Sequence, residues 1–94
     1  MARWGHFFFK GHMKKLELYY FDECPYCQLV LRTIADTGLK DKVVLKNIRK
    51  EPANREKLMK DTGRSTVPCL YIDGKPMFES KDIARWLTDN AKGL

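Results

Sequence analysis

No apolar run in the chain approaches the roughly 20 residues of a membrane-spanning helix, so a helical span is not expected. Histidine is scarce, and both copies, His6 and His12, fall at the very start. A structural zinc site needs four ligands, and beyond one close cysteine pair the chain offers only Cys69 and those two histidines, so no metal site is assigned. A one-signed charge excess is also modest. The formal net charge is +6, and Lys and Arg alternate with Asp and Glu instead of clustering with aromatics along a groove, so nucleic acid is not an expected partner. Phe7-Phe8-Phe9, between Arg3 and Lys10, is too short for a secretory core and lacks a small-residue cleavage site, which leaves a cytoplasmic location as the expectation.

Ninety-four residues make one domain with one core. Gly11-His12-Met13 looks like the scar of a tag junction, and Met13-Lys14-Lys15-Leu16 reads as a natural start. Residues 1–12 are therefore expected to be a disordered extension ahead of a domain at 13–94. Arg3 and Lys10 carry two of the six net charges and leave four for the domain.

What the chain does have is Cys24-Pro25-Tyr26-Cys27. Two cysteines three apart at a helix start have Cβ atoms roughly 5–6 Å apart, near disulfide geometry. Pro25 suits the first helical position, which leaves Cys24 at the exposed cap and Cys27 in the first turn. Unpaired N–H groups and the positive end of the helix dipole favour a thiolate at Cys24, the species that attacks disulfides. A purely structural bridge three residues long would restrict the unfolded chain little, so redox chemistry is the stronger reading.

The flanking pattern supplies the setting. Leu16 to Phe21 is an apolar, aromatic run that reads as a buried strand feeding the motif, and Leu29, Val30, Leu31, Ile34 and Ala35 give the next helix a broad apolar face before Gly38. Val43 to Ile48 is a second strand, parallel to the first through a right-handed crossover. A second helix runs from about Pro52 to Thr62 on Leu58 and Met59 and ends at Gly63. Cys69 to Ile72 and Lys75 to Phe78 form a hairpin about Asp73-Gly74. Ser80 can cap a last helix, with Ile83, Ala84 and Leu87 on one face and Trp86 beside them. The order is βαβαββα, an α/β architecture.

Cys24-Pro25-Tyr26-Cys27 after a strand, Thr62-Gly63-Arg64-Ser65-Thr66-Val67-Pro68 before one, and Asp73-Gly74 in the hairpin resemble a glutaredoxin over Leu16 to about Asn90. The resemblance implies a thioredoxin-like fold, a four-stranded mixed sheet flanked by helices. It also implies a monomeric dithiol oxidoreductase that uses glutathione as reductant, without a permanently bound cofactor, on disulfide-containing or glutathionylated proteins. Cys24 then corresponds to the attacking thiolate, Cys27 to the resolving thiol and Tyr26 to a residue flanking glutathione. Thr66, Val67 and Pro68 resemble the loop in which a cis-proline follows a residue whose backbone pairs with the glutathione cysteine. By sequence alone Pro68 is equally an edge marker.

Two departures stand out. Glutaredoxins commonly place a lysine three residues before the nucleophile, and here Phe21 occupies that position, followed by Asp22 and Glu23, which oppose a thiolate. Arg55 lines up with a position that contacts the glycine carboxylate of glutathione; it is also readable as a solvated surface arginine. Where many glutaredoxins carry Gly-Gly, this chain has Phe78-Glu79-Ser80, similar to the glutathione-binding pair of glutathione transferase N-terminal domains. Ser80 either offers its hydroxyl and nearby N–H groups to the γ-glutamyl carboxylate or caps its own helix. Asp82 suits the γ-glutamyl ammonium, or merely complements the helix dipole. Cys69 is assigned to packing. A glutathione-binding, transferase-like module without redox turnover is the alternative function. A [2Fe-2S] carrier is a third, disfavoured by Pro25 and the second cysteine.

Overall fold

The structure, a computed structural model, describes residues 14–94. The reading of residues 1–12 as an extension lies outside the described residues. The element order is β1 (Leu16–Tyr20), α1 (Pro25–Asp36), β2 (Val43–Asn47), α2 (Pro52–Thr62), β3 (Cys69–Ile72), β4 (Lys75–Met77) and α3 (Ser80–Asn90), closed by a 3₁₀ turn at Ala91–Gly93. The four strands lie in the order β2-β1-β3-β4. β1 runs parallel to β2, with Leu16 opposite Val43 and Tyr20 opposite Asn47. β3 is antiparallel to both β1 and β4. This is the thioredoxin-like βαβαββα arrangement expected from the sequence.

Strand alternation divides the core between the two faces of the sheet. Leu16, Leu18, Val43 and Leu70 meet Val30 and Ile34 of α1 and Ile83 and Leu87 of α3, with Trp86 packed at the margin. Tyr19, Cys69 and Tyr71 point the other way and meet Ile48 and Leu58, with Phe21, Val67 and Phe78 around them. The second face is thinner. Only Leu58 of α2 is fully buried there, whereas Met59 is 40% exposed, which corrects the expectation that both residues anchor the helix.

The helix ends follow local chemistry. Pro25 and Pro52 occupy first-turn positions of α1 and α2, where a missing N–H costs nothing. Gly63 ends α2 at φ 79°, donating its N–H to the Met59 carbonyl at 2.8 Å. The start of α3 departs from the sequence reading, because Glu79, not Ser80, holds the cap position, and its side chain makes no capping bond.

Candidate functional site

Both cysteines of the motif are set by the turn from β1 into α1. The Cys24 N–H donates to the Phe21 carbonyl at 3.3 Å, and the Cys24 sulfur accepts the Cys27 N–H at 3.3 Å, acting as the helix cap. The expected exposure of Cys24 is corrected: it is 6% exposed, against 0% for Cys27, so only an edge of the nucleophile candidate reaches solvent. Burial pushes the Cys27 thiol up to about 12, helped by its hydrogen bond to Cys24 and opposed by one from the Phe21 backbone. Cys27 therefore keeps its proton beside Cys24. Phe21, through its backbone, touches both cysteines.

Parallel pairing places the end of β2 beside this turn. The Ile48 N–H donates to the carbonyl of Tyr20, the last residue of β1, at 2.8 Å, so the pairing runs one residue past the end of β2. Buried Asn47 then shapes the loop, its Oδ1 accepting the N–H groups of Arg49 and Lys50 at 2.8 and 2.9 Å. The Arg49 guanidinium lies over the Phe21 ring, 3.9 Å from its centre, and its Nη1 donates to Glu23 Oε1 at 3.2 Å. Lys50 Nζ stands 3.5 Å from Asp22 Oδ2. Sequence reasoning missed both cations. The predicted parallel crossover was the available signal, since it sets residues 48–50 beside residues 21–23.

A cavity of about 490 Å³ gathers Tyr26, Thr66, Val67, Pro68, Glu79 and Ser80 from three segments far apart in sequence. The Val67–Pro68 peptide bond is cis. Among the described residues, neither the N–H nor the carbonyl of Val67 is taken up by another group. Ser80 lies inside the first turn of α3 and its hydroxyl likewise has no partner among the described residues. Glu79 holds φ at 74°, a conformation that favours glycine. Lys81, which the sequence reading passed over, also lines the cavity. Arg64 flanks this side, its guanidinium 4.0 Å from the centre of the Phe78 ring. Arg55 and Asp82 are exposed and do not line the cavity. Cys69 is fully buried against the second face, with its thiol pushed up to about 11 by burial, as a packing residue would be.

A thioredoxin-type sheet with a Cys-Pro-Tyr-Cys turn and a cis-proline loop defines the class, and comparison with known proteins narrows it. The sequence pattern of the glutathione S-transferase N-terminal domain matches residues 18–93. Glutaredoxin 3 of Escherichia coli strain K12 is 32% identical over 71 residues, covering 76% of this chain and 83% of that protein. A glutathione transferase homologue from Drosophila mojavensis, solved with bound glutathione, superposes with a TM-score of 0.70 at 25% identity, over 84% of this chain and 36% of that one. The chain thus spans about a third of the transferase structures it matches. Oxidized glutaredoxin 2 from Chlamydomonas reinhardtii shares the fold at a TM-score of 0.63 and 21% identity, over 93% of this chain and 92% of that one. The chain belongs to the glutaredoxin family of the thioredoxin fold, and it also matches the glutathione S-transferase N-terminal domain.

Proposed function

We propose that the protein is a glutathione-dependent thiol-disulfide oxidoreductase working through Cys24 and Cys27. The observation that carries this reading is the convergence of the cis-proline loop, the Glu79-Ser80 pair and Tyr26 of the cysteine turn on one cavity. Glutathione suits that cavity. The free N–H and carbonyl of Val67 match the main-chain groups of an extended peptide ligand. The unpartnered Ser80 hydroxyl and the first N–H groups of α3 suit its γ-glutamyl carboxylate. Lys81 adds a positive charge at the same end.

With a glutathionylated protein, the Cys24 thiolate attacks the glutathione sulfur. A Cys24–glutathione bond forms, and the protein thiolate leaves and takes a proton from solvent. A second glutathione thiolate then attacks the glutathione sulfur of that bond, giving glutathione disulfide and regenerating the Cys24 thiolate. With a protein disulfide, Cys24 forms a mixed disulfide and Cys27 resolves it, giving the Cys24–Cys27 bridge and a reduced protein; two glutathiones reduce the bridge in turn. The environment of Cys27 orders these steps. Burial is the main reason that it holds its proton, but the other two, its bond to Cys24 and the charge there, end once Cys24 enters a mixed disulfide. The resolving thiol is thus easier to ionise when it is needed.

A coupled NADPH assay with glutathione reductase on a small glutathione mixed disulfide tests the reading. Turnover is expected, and Cys27→Ser should retain it while losing most reduction of a protein disulfide, because only the second reaction needs a neighbouring thiol. The match to the transferase N-terminal domain favours one second reading, a glutathione-binding module without redox turnover. Glutathione binding with no turnover by the unmodified protein would establish that reading instead.

A further inference from the structure

The sequence places two carboxylates directly before the proposed nucleophile and an aromatic ring where the family commonly has a cation. That arrangement alone is unfavourable to a thiolate. The structure contains a counterpart to it on a different element. Asn47 fixes the backbone of the β2–α2 loop through two hydrogen bonds, so that successive side chains, Arg49 and Lys50, reach the β1–α1 turn. Arg49 binds the turn twice, by stacking on Phe21 and by pairing with Glu23. Lys50 pairs with Asp22, whose carbonyl also accepts Gln28 Nε2 at 2.7 Å. Phe21 is the residue whose backbone bonds both cysteines. A cation held on its ring therefore acts on a residue whose backbone bonds the Cys24 N–H and the Cys27 thiol.

We propose that Arg49 is a positioning residue for Cys24: clamped between Phe21 and Glu23, it fixes the cysteine turn and returns to it the positive charge that the Phe21 position lacks. Lys50 assists by occupying Asp22. The inference rests on the reading of Cys24 as the nucleophile, but not on glutathione being the ligand. The compensating cation is thus not Arg55, the basic residue the sequence points to on α2, which lies exposed and outside the cavity lining. Among the described residues, the other charged or titratable groups around the turn and its cavity are the Cys27 thiol and the Tyr26 phenol on α1, Glu79 and Lys81 at the start of α3, and Arg64 ahead of β3. These remain unchanged in the variants proposed below. Arg49 and Glu23 are 61% and 70% exposed, so solvent screens the pair and a moderate effect is expected.

The test is the pH dependence of iodoacetamide alkylation at Cys24, followed by peptide mapping on the reduced protein, which needs no glutathione. Arg49→Gln should move the midpoint up and slow alkylation below it roughly twofold to fivefold. Arg49→Lys, which keeps the charge and loses the flat guanidinium, should recover part of the rate. The difference between Arg49→Gln and the unmodified protein should shrink at about 1 M salt, where the Debye length falls to roughly 3 Å. A folded Arg49→Gln protein with an unmoved midpoint overturns the proposal. Should that variant fail to fold, Phe21→Leu carries the test, since it removes the ring under Arg49 without changing any charge and should move the midpoint up; a folded Phe21→Leu protein with an unmoved midpoint is equally decisive against the proposal. Failure of glutathione turnover with a shifted midpoint would count against the proposed function and leave the role of Arg49 standing.

Discussion

Glu79 holds a positive φ that costs a side-chain-bearing residue on the order of 1–3 kcal/mol, at the position where a glycine would sit freely. Its side chain makes no capping bond in return, and it lines the cavity, so the strain has no counterpart in the packing of α3. Strain retained without a local structural return is expected where a ligand uses the residue. Glu79→Gly should therefore raise the unfolding free energy, and with it the urea midpoint, by about 1 kcal/mol in free energy after the extra freedom of the unfolded chain is subtracted, and weaken glutathione-dependent turnover through KM. Equilibrium unfolding in urea and steady-state kinetics on the same preparation check the pair of outcomes. A gain in stability with an unchanged KM would make Glu79 a bystander. The sequence identified Glu79 and Ser80 by type but misplaced the helix start by one residue. Ser80 has the chemistry of a cap, and only the backbone reveals that the preceding residue takes that role.

The strands and helices were legible because their apolar periods agree with their neighbours. β1, β2 and β4 each end one residue earlier than the apolar run suggests. At Phe21 the chain is already turning to bring its carbonyl to the Cys24 N–H, and at Phe78 it is about to enter the positive φ of Glu79. Those two residues are apolar because they cover the second face of the sheet as loop residues. The loop after β2 was the least legible element. Its charged run, Arg49-Lys50-Glu51, reads as solvated surface, and its order comes from the buried Asn47. Asn47 Oδ1 accepts two N–H groups, and its carbonyl accepts Asn54 Nδ2 at 3.1 Å, tying the loop to the first turn of α2. Asn47→Ala should cost about 1–2 kcal/mol, at the lower end where water reaches the freed amides, whereas Asn47→Asp keeps the acceptor and should cost less. Amide hydrogen exchange should then speed up at Arg49 and Lys50 in the alanine variant. Unchanged exchange at those two amides would show that the loop is held by something other than this side chain.

Over the whole molecule, the exposed ion pairs hold the chain together less than the two apolar faces do, and the charge excess bears more on encounter than on stability. The chain carries a formal +6, and glutathione and its mixed disulfides are anionic, so approach to the site is favoured at long range. Such steering weakens as the Debye length falls from roughly 20 Å at 20 mM salt to about 4 Å at 500 mM. The expected outcome is a fall of several-fold in kcat/KM for a glutathionylated substrate across that range, with kcat nearly constant, because the chemical step occurs between groups already in contact. Residues 1–12 contribute two of the six charges through Arg3 and Lys10. A variant lacking them should keep its kcat and show a shallower salt slope. A slope that is unaffected by that deletion would confine the steering to charges near the cavity, such as Lys81 and Arg64, and a kcat/KM independent of salt in both proteins would remove long-range attraction from the account of substrate capture.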